Sequence, residues 1–127
     1  MTGRVVFIGA GPGDPDLITV KGRRALAEAD VVLFTDSLVS EALVAAARPG
    51  AEIHRSAGMD LEQQEAIFLK AWKEGKTVAR VHTGDPSVFG ATQEQVELLK
   101  KHGIPFEVIP GVSSFQAASA ALKKEFT

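Results

Sequence analysis

Residues 5–19 read Val-Val-Phe-Ile-Gly-Ala-Gly-Pro-Gly-Asp-Pro-Asp-Leu-Ile-Thr, and this stretch decides the fold. The apolar run at 5–8 has the composition of a buried strand, and the glycines that follow let the backbone come close to a ligand. A dinucleotide fingerprint, Gly-x-Gly-x-x-Gly, is the first comparison, and the residues argue against it. The third glycine is Gly13, one place early, and the sixth position is Asp14, with Pro15 and Asp16 behind it. A carboxylate there repels a pyrophosphate, while Pro12 and Pro15 remove backbone donors that would cradle one. The loop suits a ligand that is not held by its phosphates.

Short apolar runs alternate with helical patterns along the rest of the chain. Strands are expected at 5–8, 31–35, 52–55, 77–81 and 106–109. Helices are expected at 21–29 with Thr19 as cap, near 40–47, from Asp60 to Gly75, from Thr92 to Gly103, and from Ser113 to about residue 124. Asp60 with Gln63 and Thr92 with Gln95 both have capping-box spacing, and Ser113 with Gln116 reads as a further cap. Five strands alternating with helices predict an α/β fold: a doubly wound, mostly parallel five-stranded sheet with helices on both faces. The alanine-rich face of the last helix (Ala117, Ala118, Ala120, Ala121) either packs on this sheet or meets a domain that continues from it.

With 127 residues, 45% of them hydrophobic, the chain suits one domain with one real core. A net charge of −2 gives no footprint for nucleic acid or an anionic membrane, and the absence of cysteine excludes disulfides and thiolate metal sites. No apolar run reaches about 18 residues and no signal segment opens the chain, so a cytoplasmic protein is expected.

Ligands of open α/β sheets bind outside the carboxyl ends of the strands. All five loops at those ends carry Gly, Pro or small polar residues, whereas the opposite loops are plainer. Asp14 and Asp16 have two open readings, a base or turn formers. Asp36 is either a ribose-binding acid or a cap. His82 is either a base or a hydrogen-bonded structural residue, and no second histidine stands near it in sequence to make a metal pair. Gly84-Asp85-Pro86 is a tight turn, and Val88 and Phe89 before Gly90 offer a partly apolar surface.

Four segments together resemble the tetrapyrrole methylases, the S-adenosylmethionine-dependent methyltransferases of corrin and sirohaem precursors. They are Ile8 to Thr19 with Lys21-Gly22, Ala29-Asp-Val-Val32, Arg80-Val-His-Thr-Gly-Asp-Pro86 with Phe89-Gly90, and Pro110-Gly-Val-Ser-Ser114. Within the family, Asp36-Ser-Leu-Val-Ser40, Ala57-Gly-Met59 and His82-Thr-Gly-Asp-Pro86 are most similar to the branch acting on precorrin-4 at ring carbon 11. The uroporphyrinogen branch usually has Asp-Arg-Leu-Val and Gly-Gly-Asp-Pro at the second and fourth loops.

The resemblance implies that Gly84, Asp85, Val88, Ser113 and Ser114 hold S-adenosylmethionine. It places Pro12, Gly13, Asp36 and His82 toward a tetrapyrrole substrate and makes Asp14 a candidate catalytic base. Lys21, Arg55 and Arg80 are candidate partners for substrate carboxylates on charge alone. The family has two domains, with its site between them, so the resemblance implies that residues 1–127 are the amino-terminal domain alone, with little activity by itself, and that the full-length protein is a homodimer. A non-catalytic ligand-binding domain and a dinucleotide module are the competing readings.

Overall fold

The computed structural model describes residues 3–35, 39–88 and 92–126. Five strands, β1 (Arg4–Gly9), β2 (Val31–Phe34), β3 (Glu52–Arg55), β4 (Thr77–His82) and β5 (Phe106–Ile109), lie in the order β3-β2-β4-β1-β5. Every neighbouring pair is parallel, so the expected "mostly parallel" sheet is wholly parallel in its described strands. Each strand falls within one residue of its expected position at either end.

Residue alternation along the strands splits the core in two. Val6, Ile8, Val32, Phe34, Ala79 and Val81 face Leu26 of α1 (Val20–Glu28) and Leu43 of α2 (Glu41–Val44). Val5, Phe7, Leu33 and Val78 face Phe68 of α3 (Leu61–Lys73) and Leu99 of α4 (Thr92–His102). β1 and β2, buried on both faces, read as continuous apolar runs, which is why they were legible. From β1 the chain crosses to β2 and outward to β3; it then returns to β4, beside β1, and crosses to β5 on the other side. The direction reverses between β1 and β4, and their carboxyl ends flank that switch point.

Two caps form as expected. Thr19 accepts from the Gly22 N–H at 3.0 Å. At α3 the Gln63 N–H donates to Asp60 Oδ1 at 2.8 Å, and the Asp60 N–H donates to Gln63 Oε1 at 2.9 Å, completing the capping box. Asp60→Ala removes one half of this pair and is expected to lower stability by about 1 kcal/mol, read from the urea midpoint.

Gly75 and Gly103 follow the ends of α3 and α4 as expected, whereas the end of α2 and the starts of α4 and α5 depart from expectation. Helix α2 stops at Val44, and the chain continues through i→i+3 bonds from Ala46 to Leu43 and from Ala47 to Val44, a tighter winding ahead of Pro49. Thr92 and Gln95 are not used as a box: the Thr92 hydroxyl donates to the Pro86 carbonyl, and the Gln95 side-chain oxygen accepts from Arg80. Ser113 does occupy the N-cap of α5 (Ser114–Leu122), but its hydroxyl donates to the Gln116 side chain and caps no backbone N–H. Nor does the alanine face of α5 pack on the sheet. No residue of that helix is buried, and Phe115 and Leu122 are 50% and 69% exposed.

Candidate functional site

The loops after β1, β4 and β5 meet backbone to backbone. The Gly84 N–H donates to the Gly11 carbonyl at 2.7 Å, and the Gly11 N–H returns to the Gly84 carbonyl at 3.2 Å. This small antiparallel bridge spans the switch point between β1 and β4. Behind it, Gly9 and Gly111 touch. A Cβ on Gly9 would lie 2.6 Å from the Gly84 oxygen and 2.7 Å from the Gly111 Cα, closer than real side chains approach backbone. Gly84 itself holds φ at 63°, a left-handed conformation that glycine adopts freely.

Asp85 fastens two of these loops together. Its Oδ1 accepts from the Gly111 N–H at 2.8 Å, while Oδ2 accepts from the Ser87 N–H at 2.9 Å and from the Ser87 hydroxyl. Partial burial pushes its pKa up, but the bonds from the Ser87 hydroxyl and the two N–H groups outweigh that and hold it below the ordinary carboxylate value.

Above this junction lies a cleft of about 180 Å³. It takes Pro12 from the first loop, Thr83, Gly84, Asp85 and Val88 from the β4 loop, and Ser113 and Ser114 from the start of α5. It shares Asp85, Val88 and Ser113 with a more open hollow of about 480 Å³ beside Gly111 and Gln116. The five residues expected to hold a cofactor therefore come together with Pro12. Thr83 joins them; the sequence marked it within the His82–Pro86 motif without placing it among the cofactor contacts, and its position one residue before Gly84 was the available signal. Among the described residues of this lining Asp85 is the one charged side chain, and no basic group accompanies it.

Gly13 and Asp14 are exposed in the first loop and do not line the cleft. The Asp14 side chain accepts from the Asp16 N–H at 2.9 Å and caps the 3₁₀ turn Pro15–Leu17, which is turn-forming chemistry. Asp36, Phe89 and Gly90 lie outside the described residues.

His82 does not face the cleft. It is 4% exposed, stacked on Phe7 with ring centroids 5.9 Å apart, and its Nε2 is buried without a partner. Burial first, and the Arg80 charge second, push its pKa down to about 3, so the ring is neutral near pH 7. The candidate carboxylate-binding cations are also otherwise engaged. Lys21 pairs with Glu107 at 3.0 Å and Arg55 with Glu41 at 2.9 Å. Arg80 is 4% exposed beneath α4, and burial lowers its pKa to about 10, which leaves it cationic near neutrality.

A separate hollow of about 190 Å³ lies between β3 and α3, reaching Val31 and Glu52 at the amino ends of their strands. Its charged groups pair with one another, Glu52 with His54 at 2.5 Å and Lys70 with Glu74 at 3.7 Å.

A glycine-floored cleft at the carboxyl edge of a parallel sheet, with no basic side chain among its described residues, sits where open α/β domains take their ligands. Residues 4–127 match the family model described as tetrapyrrole (corrin/porphyrin) methylases, and the chain belongs to that family. It is 55% identical to a cobalt-precorrin-4 C(11)-methyltransferase of Priestia megaterium and 52% identical to one of Methanocaldococcus jannaschii, each over 98% of this chain. It spans about half the length of these relatives, 48% in both cases. Among solved structures, a cobalt precorrin-4 methyltransferase of cobalamin biosynthesis superposes over 98% of this chain and 52% of its own, with a TM-score of 0.95 and 55% identity. A uroporphyrin-III C-methyltransferase from Thermus thermophilus complexed with S-adenosylhomocysteine superposes over 91% of this chain and 51% of its own, with a TM-score of 0.80 and 42% identity. Among the described residues no helix is long and apolar enough to cross a membrane.

Proposed function

We propose that this chain forms the S-adenosylmethionine-binding half of a C-methyltransferase acting on a corrin precursor, precorrin-4, at ring carbon 11 in cobalamin biosynthesis. The carrying observation is the identity of 55% and 52%, across nearly the whole chain, to two relatives named cobalt-precorrin-4 C(11)-methyltransferase, alongside 48% to a precorrin-4 C(11)-methyltransferase. The cleft fits such a cofactor by its chemistry. Small hydroxyls, glycine backbone and the apolar Val88 suit an adenosyl amino acid, and among the described lining residues no basic group is present to demand phosphates.

Gly84, Asp85, Val88, Ser113 and Ser114 would hold the cofactor, with Asp85 acting mainly by fixing Gly111. When bound, the cofactor supplies an electrophilic methyl group to a nucleophilic ring carbon. The protein's contribution to such a transfer is proximity and orientation, so an array of strong catalytic groups is not required. Pro12, Gly13 and Asp36 are proposed to face the tetrapyrrole, with Asp14 positioned on the exposed first loop to assist proton removal. His82, buried against Phe7, does not reach the cleft, and no contact with the substrate is proposed for it.

The relatives are about twice as long, and we propose that their second half completes the cleft and carries part of a homodimer interface. By itself the 127-residue chain is then expected to turn over little. A second reading, the uroporphyrinogen-III methylase of the same family, is favoured by 48% identity to that enzyme of Methanocaldococcus jannaschii. His82 and Thr83 in place of a glycine pair speak for the precorrin-4 branch.

The test is calorimetric titration of S-adenosylhomocysteine into this chain, and into the same chain joined to the carboxy-terminal half of the Priestia megaterium relative. The joined protein is expected to bind at least tenfold more tightly. Equal binding by both would remove the shared-cleft proposal. Binding by neither would remove the methyltransferase reading.

A further inference from the structure

Arg80 is the one buried cation among the described residues, and no carboxylate accompanies it. Its Nε donates to Gln95 Oε1 at 3.0 Å, and its Nη1 donates to the carbonyls of Val81 at 3.3 Å and Leu33 at 3.4 Å. A buried charge without a counter-ion is destabilising, and apolar side chains of similar volume commonly do better in such a place. Gln95 is buried as well, at 3% exposure. The packing of β4 against α4 therefore does not by itself account for either residue.

What the pair connects is more telling. The guanidinium ties the carboxyl ends of β2 and β4 to α4 through Gln95. Three residues before Gln95, Thr92 donates to the Pro86 carbonyl inside the cleft loop. On the far side of that loop, Asp85 fixes the Gly111 N–H. The loop that contributes Thr83 to Val88 to the cleft is thus held at its root by Arg80, at its top by α4 and at its flank by β5.

We propose that Arg80 and Gln95 are a positioning pair: they fix α4 against the end of β4, and so hold the cleft loop and its glycine floor in place, at a cost to the stability of the domain. Neither residue lines the cleft, and the proposal concerns its shape whichever ligand enters it. It depends on the functional reading only in treating this cleft as the working site.

Amide hydrogen exchange of the chain itself tests it. The Gly84 and Gly111 amides report the cleft floor through their bonds to the Gly11 carbonyl and to Asp85. Replacing both partners together, Arg80→Met with Gln95→Leu, leaves neither of the two facing the other's unpaired polar group, and the bonds it removes elsewhere are those to the Leu33 and Val81 carbonyls and a further contact of Gln95. The double variant is expected to melt no lower than the parent, yet to exchange the Gly84 and Gly111 amides at least tenfold faster, with the central amides of β1 unchanged. Unchanged protection at those two glycines overturns the proposal. So does a variant that melts lower, fails to fold, or loses protection throughout the sheet. The second variant, Gln95→Glu, keeps the shape and supplies the missing counter-charge. It is expected to raise the melting temperature while leaving both glycine amides protected, and a lower melting temperature would overturn the claim that the unpaired charge is a burden.

Discussion

Gly111→Ala is expected to destabilise the domain by about 3 kcal/mol, roughly a 10 °C fall in melting temperature for a chain of this size. The added methyl would run into the Gly84 carbonyl oxygen and would sit 2.8 Å from the Gly9 Cα and 2.9 Å from the Gly9 carbonyl carbon. All three obstacles are backbone, belonging to strand ends locked in the middle of the sheet, so no side chain can swing aside. Gly103→Ala provides the comparison. Gly103 has a positive φ of 69° but nothing within 4 Å of its would-be Cβ, so its cost is conformational and close to 1 kcal/mol. Urea titrations of the two variants separate the effects. If Gly111→Ala costs no more than Gly103→Ala, the loops are not in the contact described.

The second large effect is a dependence on pH set by His82. Its folded pKa of about 3 lies below the ordinary histidine value of 6.5. Between these values the unfolded chain binds a proton that the folded chain refuses, so stability is full above pH 6.5 and declines as pH falls toward 3. From pH 6.5 to pH 5 the loss is expected to be about 2 kcal/mol, near 1.4 kcal/mol per pH unit. His82→Phe keeps a planar ring against Phe7 and cannot titrate, so this part of the slope should vanish. Comparing the two proteins at each pH cancels His54 and His102, which remain in both. Staying above pH 5 avoids most of the titration of the hydrogen-bonded carboxylates, Asp85 among them. Parallel stability curves for the two proteins would show that His82 is not held neutral by the fold.

The sheet was legible because β1 and β2 are apolar runs, β4 and β5 are largely apolar, and each connection carries its own breaker, which also marks off the mostly polar β3. The switch point followed less directly, since sequence gives alternation but not the order in which strands lie together. The Asp60 and Thr19 caps are local and were readable. The Thr92 and Gln95 spacing misled because the same two side chains are used for longer-range bonds, to a loop six residues back and to a strand across the core. Likewise, the alanines of α5 marked a face without saying what would cover it. For the site, glycines and small polar residues pointed to the carboxyl edge of the sheet, where the cleft of Thr83, Gly84, Ser113 and Ser114 lies. That Gly9 presses on Gly111, or that Gln95 meets Arg80, required the fold. The burial of His82 also depended on its neighbours, because a residue at a strand end has its side chain turned to one face by the pleat, and here that face is covered.

The strand order has a consequence for how the domain comes into being. Within this sheet β1 is made before the other strands, yet both its partners come later: β4 at residues 77–82 and β5 at 106–109. Until then Val5, Val6, Phe7 and Ile8 form an apolar segment with open edges on both sides. Its natural hazards are pairing with another nascent chain and capture by chaperones. The glycine floor cannot close before residue 111 is available, so the ligand cleft is among the last features to be assembled. A release of the chain just short of β5 should leave an aggregation-prone intermediate rather than a smaller working domain.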